Sequence, residues 1–183
     1  RATTGEGDYV TCALQHAGVF TLMTGMISAQ YGNPYPKSRL EVICPFNNVY
    51  MTGDGKYVAM CDPEYDRDYN KIMKLIGRDD LVDDPKYINC VKMNEAGLNA
   101  EVVGVMDDAL AKMTCTEALT LFKNAGIPIE LCQTPLDVYE DQNVWDNDYL
   151  VKIKYPESER NIPTVPIQFE SQPVPDYTPT GML

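Results

Sequence analysis

Two short strand-forming runs, Asn48–Thr52 and Lys56–Cys61, are separated only by Gly53-Asp54-Gly55. Glycine and aspartate tolerate the positive φ that a tight reversal needs, so the pattern predicts a β-hairpin. The chain then runs straight into Asp62-Pro63, a carboxylate able to cap a helix followed by a proline whose missing N–H costs nothing there. Behind it Tyr65, Tyr69, Ile72, Met73 and Ile76 recur at three- and four-residue spacing, and Gly77 is a natural stop. A hairpin that feeds directly into an amphipathic helix restricts the chain to mixed architectures and predicts a sheet with helices on one face.

The rest of the middle region extends that pattern. Asp83-Asp84-Pro85 turns the chain, and a second helical stretch is expected from about Met93 to Met113, with Leu98, Val102, Val105, Met106, Leu110 and Met113 on one stripe. Thr114 and Glu117 are spaced as a capping box for a third helix ending at Gly126. Ile127 to Gln133 is strand-like again, which closes a small α+β domain over residues 48–134. Upstream, Asp8–Leu14 reads as a strand and Gln15–Tyr31, apolar nearly all round, as a buried helix. Pro34, Pro36 and Pro45 mark an extended linker between the two regions. Downstream come an acidic helical patch to about Asn147, strand candidates at Tyr149–Tyr155 and Thr164–Phe169, and a proline-rich end.

Charge and cysteine usage exclude several functions. The formal charge of −12 is spread along the chain, which argues against a nucleic-acid partner, since phosphate binding needs clustered Lys and Arg. The longest apolar stretch, Ala17–Ala29, is too short and too interrupted to span a bilayer. No signal peptide is read, although a chain starting at Arg1 could have lost one. The six cysteines are far apart, mostly among apolar neighbours, and read as reduced thiols rather than three disulfides. His16 is the only histidine and no two cysteines approach CxxC spacing, so no metal site is expected.

Candidate reactive groups are few. Asp62, Glu64, Asp66 and Asp68 fail as a calcium loop, because Arg67 and Met73 stand where Gly and Glu belong; they read as acids favouring the positive end of a helix. His16 lies four residues from Cys12 but reads as structural, since Cys12 falls in the expected strand. Gly5-Glu6-Gly7 precedes a strand, whereas a phosphate loop follows one and opens a helix. Asp79-Asp80 and Asp83-Asp84 suit a turn, and Trp145 with the tyrosines suits packing, with no basic groove to make them a stacking platform. From the residues alone, no self-sufficient active site emerges.

The order of several segments resembles the family III CoA-transferases, the CaiB/BaiF-like group of the formyl-CoA transferase superfamily. Arg1-Ala-Thr-Thr-Gly-Glu-Gly-Asp-Tyr-Val-Thr is similar to the family's Thr-Gly-x-Gly-Gln stretch before a strand and long helix. Asn48 to Ala59 resembles its Asp-Gly hairpin, and Leu75-Ile-Gly-Arg-Asp-Asp-Leu with Asp84-Pro-Lys-Tyr resembles its small-domain run. Thr114–Leu119 and Ala125-Gly-Ile-Pro match the pattern that follows. Gln30-Tyr-Gly, Pro-Phe-Asn-Asn and Pro63-Glu-Tyr-Asp look most like the anaerobic 2-hydroxyacyl-CoA transferases.

That resemblance implies an α+β small domain with an antiparallel sheet and helices, flanked by segments of a Rossmann-like α/β large domain. The implied bounds are residues 1–35 for the end of the large domain, 36–47 for the linker, 48–134 for the small domain and 135–183 for a return segment. It implies a cytoplasmic enzyme, an interlocked homodimer, that moves CoA between acids through an aspartyl-CoA thioester. The substrates would be an acyl-CoA and a carboxylic acid, with coenzyme A a substrate and no cofactor. The nucleophilic aspartate of the family lies upstream of the Thr-Gly segment, so no catalytic residue is assigned here and the chain alone is expected to be inactive. Its linker, Arg39–Asn48, would approach the acyl group. Arg39, Phe46, Asn47 and Asn48 are the substrate-binding candidates, by hydrogen bonding from the asparagines and apolar contact from Phe46. The bland alternative is that these residues only start the strand. Some members carry a glycine-rich loop in this stretch; here Leu40-Glu-Val-Ile-Cys-Pro-Phe-Asn-Asn stands in its place. A racemase of the same superfamily and a free-standing α+β interaction module are the other readings.

Overall fold

A computed structural model of the chain describes residues 5, 13–32 and 38–164. In chain order the elements are α1 (Leu14–Thr21), α2 (Met23–Gln30), a 3-10 turn (Arg39–Glu41), β1 (Asn47–Met51), β2 (Tyr57–Cys61), α3 (Tyr65–Leu75) and a second 3-10 turn (Asp79–Leu81). Then follow α4 (Cys90–Glu95), α5 (Asn99–Leu110), α6 (Cys115–Asn124), β3 (Ile129–Leu131), α7 (Pro135–Glu140), α8 (Gln142–Asp146), β4 (Leu150–Tyr155) and β5 (Ser158–Pro163). The fold is α+β, as the segment pattern predicts.

The residues group into two compact units. One takes the chain up to Asn48 together with Asp62–Met106; the other takes Val49–Cys61 and the chain from Asp107 onward. In the first, the core is aromatic and sulfur-rich. Phe46 stacks on Tyr65 with ring centroids 4.6 Å apart, and Tyr65 meets Tyr69 at 5.5 Å. Ile72, Met73, Met93, Val103 and Met106 are fully buried in the same unit. Enclosing one such side chain contributes roughly 1.5–3 kcal/mol.

The second unit holds the sheet, in the order β1-β2-β3. Strands β2 and β3 run antiparallel, pairing Val58 with Leu131 and Met60 with Ile129. Helix α6 lies against β3, with Val58, Met60, Ala118, Phe122, Ile127 and Ile129 buried. The hairpin turn is as the sequence predicts: Gly55 has a φ of 78°. Gly53 is needed for a different reason, because its N–H donates to the Met113 carbonyl at 2.8 Å and an added Cβ would sit 2.5 Å from the Ala111 carbonyl oxygen. Helix α6 carries the expected capping box between Thr114 and Glu117, and Thr134 with Asp137 makes a second one at α7. Strands β4 and β5 form a separate antiparallel pair, from Leu150↔Pro163 to Tyr155↔Ser158.

Several expectations need correction. The helix predicted over Gln15–Tyr31 is two helices broken at Leu22, and its Phe20 and Tyr31 are exposed in this chain. The stretch from Met93 to Met113 is likewise two helices, because Gly97 takes a positive φ of 70° and ends α4. Asp62 does not cap α3; its Oδ1 accepts the Glu64 N–H at 3.1 Å in a local turn, and the helix begins after Glu64. The partner of the strand over Tyr149–Tyr155 is Ser158–Pro163, which the sequence reading did not include. Most of the predicted strand Asp8–Leu14, and all but the first residue of Thr164–Phe169, lie outside the described residues.

Candidate functional site

The segment Arg39–Asn48 is held as a closed loop at the base of β1. Ser38 opens it by accepting the Leu40 N–H, which sets the 3-10 turn at Arg39–Glu41. Its two ends meet where the Asn48 side-chain amide donates to the Arg39 carbonyl at 2.9 Å. Inside the loop, the Asn47 N–H donates to the Cys44 carbonyl at 2.9 Å, and the Asp62 N–H donates to the Phe46 carbonyl at 3.1 Å. The backbone is thus tied down at both ends and in the middle, as expected where buried polar groups must find partners.

The sequence-predicted residues take different places in this loop. Arg39 and Asn48 are brought together, with Arg39 exposed and Asn48 half-buried. Asn47 is exposed. Phe46 is fully enclosed beneath the Tyr65 and Tyr69 rings, so its ring offers no open surface to an acyl group. Its position makes it the anchor of the loop.

Three further groups shape the segment and were not visible as site residues. Asn99 Nδ2 donates to the Val42 carbonyl at 2.7 Å, and Asn94 Nδ2 donates to the Ile43 carbonyl at 2.6 Å. The two asparagines are themselves joined, Asn99 Nδ2 to Asn94 Oδ1 at 2.6 Å. Asp62 is the third: it is buried, and its Oδ2 has no hydrogen-bond partner. Burial and the nearby Asp68 carboxylate raise its pKa against the pull of the Glu64 N–H. The only sequence signal for the asparagines is their placement either side of Gly97, where one helix ends and the next begins.

The acidic run after β2 is more organised than a generic helix start. Asp66 accepts from Asn89 Nδ2 and the Cys90 N–H, both at 2.7 Å. Asp68 is buried beneath Arg67 and Lys71, whose nitrogens reach its oxygens at 2.6 Å. Burial raises its pKa, but those two cations outweigh it and hold the carboxyl below the usual range. Cys44 donates from Sγ to the Asp62 carbonyl at 3.4 Å, and burial pushes its thiol up to about 11. Burial and Asp66 raise the Cys90 thiol as well. A thiol in that state is a poor nucleophile, because the thiolate is the reactive form. The five cysteines among the described residues are all free.

Elsewhere, a cavity of about 100 Å³ is lined by Tyr69, Met73, Arg78, Tyr87, Glu101 and Val105 among others. Its charged groups are engaged: Arg78 makes two contacts of 2.8 Å with Asp80, and Tyr87 donates to Glu101 at 2.6 Å. Among the described residues no group of three or more His, Cys, Asp or Glu side chains is placed to hold a metal ion. No described helix is long and apolar enough to cross a membrane.

The family model for CoA-transferase family III matches residues 1–181. The chain belongs to CoA-transferase family III. It is 37% identical over 185 residues to the cinnamoyl-CoA:phenyllactate CoA-transferase of Clostridium sporogenes, an alignment that takes in 99% of this chain and 45% of that protein. To the (R)-2-hydroxy-4-methylpentanoate CoA-transferase of Clostridioides difficile it is 29% identical over 180 residues, again 98% of this chain against 45% of the relative. The chain therefore spans less than half the length of these family members. The fold is shared with Rv3272 from Mycobacterium tuberculosis (TM-score 0.65, 22% identity, 96% of this chain and 45% of that one). It is also shared with a CAIB/BAIF family protein from Brucella suis (TM-score 0.67, 19% identity, 93% and 44%).

Proposed function

We propose that this chain is part of an enzyme that transfers CoA from an acyl-CoA to a carboxylic acid, with 2-hydroxy acids as the acceptor class. The observation that carries the proposal is the 37% identity to a phenyllactate CoA-transferase across 99% of the chain, joined by a second relative named for a 2-hydroxy acid.

On this reading an aspartate outside these 183 residues attacks the thioester carbonyl and expels the CoA thiolate, leaving an acyl-aspartyl anhydride. The thiolate then attacks the aspartyl carbonyl, which releases the donor carboxylate and leaves an aspartyl-CoA thioester, and the second acid runs the same two steps in reverse. Coenzyme A is then a substrate, with no cofactor, and the enzyme works in the cytoplasm as a homodimer. The loop Arg39–Asn48 would face the acyl group, with Asn47 and the Arg39–Asn48 pair contacting substrate and Phe46 anchoring them from below. The chain alone would be inactive.

The test is thioester exchange followed by chromatography, with cinnamoyl-CoA as donor and phenyllactate as acceptor. The full-length enzyme should form phenyllactyl-CoA, and the isolated chain should form none. No transfer to phenyllactate or to a panel of other 2-hydroxy acids would overturn the assignment.

A further inference from the structure

The loop that carries Arg39, Asn47 and Asn48 is gripped from outside by two carboxamides. Asn99, a buried residue at the start of α5, donates to the Val42 carbonyl at 2.7 Å. Asn94, in the last turn of α4, donates to the Ile43 carbonyl at 2.6 Å, where the Cys90 thiol also points at 3.4 Å. The link between them runs from Asn99 Nδ2 to Asn94 Oδ1, and Asn94 Nδ2 also reaches the Cys90 carbonyl at 2.7 Å. Asn94 Oδ1 takes one Asn99 N–H, which leaves the other Asn99 donor for Val42 and the Asn94 donors for the Ile43 and Cys90 carbonyls. The kink at Gly97, with its φ of 70°, turns the chain between the two asparagines.

We propose that Asn94 and Asn99 are positioning residues for the substrate-contacting end of the loop. They hold the Val42 and Ile43 carbonyls, so the backbone from Val42 to Phe46 leaves them in one conformation and presents Asn47 and Asn48 to the substrate. The proposal rests on the transferase reading for its functional half; the clamp itself is a property of this chain. It assigns to two residues some 50 positions downstream of the loop (separations of 51 and 57 in sequence) a part in acid recognition.

Two readouts test it together: amide hydrogen exchange across residues 42–48 of the chain, and KM and kcat for the acceptor acid in the enzyme that contains it. N94A should speed exchange of the Asn47 amide roughly tenfold, the net worth of about one hydrogen bond. It should raise KM for the acid about tenfold or more with kcat nearly unchanged, since misplaced contacts made equally in ground and transition states act on KM. N99A should do the same. The control is N70A, which breaks a comparable clamp, Asn70 to Asp83 at 2.7 Å and 2.9 Å, away from the loop. It should lower stability without moving either readout. If N94A does not fold, N94S stops short of the Ile43 carbonyl and gives the same comparison. The proposal is overturned if exchange at 42–48 stays at the wild-type rate, if exchange rises while KM does not, or if N70A raises KM as much. A wild-type enzyme with no CoA transfer would instead sink the transferase reading and leave exchange to judge the clamp.

Discussion

Helices α1 and α3 show how differently two apolar-looking segments can behave. In α3 the apolar residues fall on one face and that face is closed: Tyr65, Tyr69, Ile72 and Met73 are all buried. In α1 the apolar residues fall all round and none is buried; Phe20 is 69% exposed and Leu14 is 94% exposed. The lesson is that apolarity gives a helix something to bury, whereas amphipathicity tells it where. Helix α3 finds an aromatic partner in Phe46, whose ring stacks on Tyr65 and Tyr69. Leu14, Phe20, Leu22, Met26 and Ile27 are instead exposed.

Truncating one aromatic side chain in each region should expose that difference most clearly. F46A removes the ring stacked at 4.6 Å on Tyr65 and leaves a cavity, so it should cost about 3–5 kcal/mol in urea unfolding. F20A removes a ring already in water and should stay within about 0.5 kcal/mol. Equal losses would mean that α1 is packed as tightly as α3 and would erase the contrast.

The helix starts give a smaller version of the same contrast. Helix α6 begins with a full capping box, its Thr114 hydroxyl accepting the Glu117 N–H and the Glu117 carboxylate reaching back to the Thr114 N–H at 2.8 Å. Helix α1 begins at Ala13 with no side-chain cap. T114A should therefore lower stability by about 1 kcal/mol, while A13G, which removes no cap, should change it by only a few tenths. A T114A variant with an unchanged unfolding midpoint would show that the box is dispensable in this fold.

What could be read in the sequence followed the same division. The Gly53-Asp54-Gly55 turn, the α3 stripe and the Thr114–Glu117 box are local signals, each complete within a few residues, and each is found where expected. Gly97 and Leu22 were missed as helix breaks because the apolar period carries on across both and hides the interruption. The loop Arg39–Asn48 was legible as a segment but not in its side-chain roles. Phe46 looks like any exposed aromatic beside two asparagines until Tyr65 and Tyr69 are folded over it. The asparagine clamp spans sequence separations of 51 and 57 residues, and nothing periodic announces a contact of that range.

Asp62 and Asp68 extend the contrast into the well-packed region itself, and in opposite directions with pH. Both residues are 1% exposed. Asp68 is compensated by Arg67 and Lys71, and its folded pKa falls below the ordinary carboxylate value. Its stabilisation is therefore present above that ordinary value, about 3.9, and is lost as pH falls through the lower folded one. Asp62 has one unpartnered oxygen and a folded pKa raised chiefly by burial, so its contribution has the other sign: fully present below the ordinary value and lost as pH rises through the folded one. D62N keeps an oxygen for the Glu64 N–H while removing the charge, and should stabilise the chain at pH 7 by a few tenths to about 1 kcal/mol. That gain should vanish below about pH 4, where the wild-type carboxyl is protonated in both states. D68N should instead lose stability at pH 7 and approach wild type as the pH falls. Urea midpoints for the three proteins at both pH values check this, and a D62N variant less stable than wild type at pH 7 would mean that the Asp62 charge has a partner worth more than its burial costs.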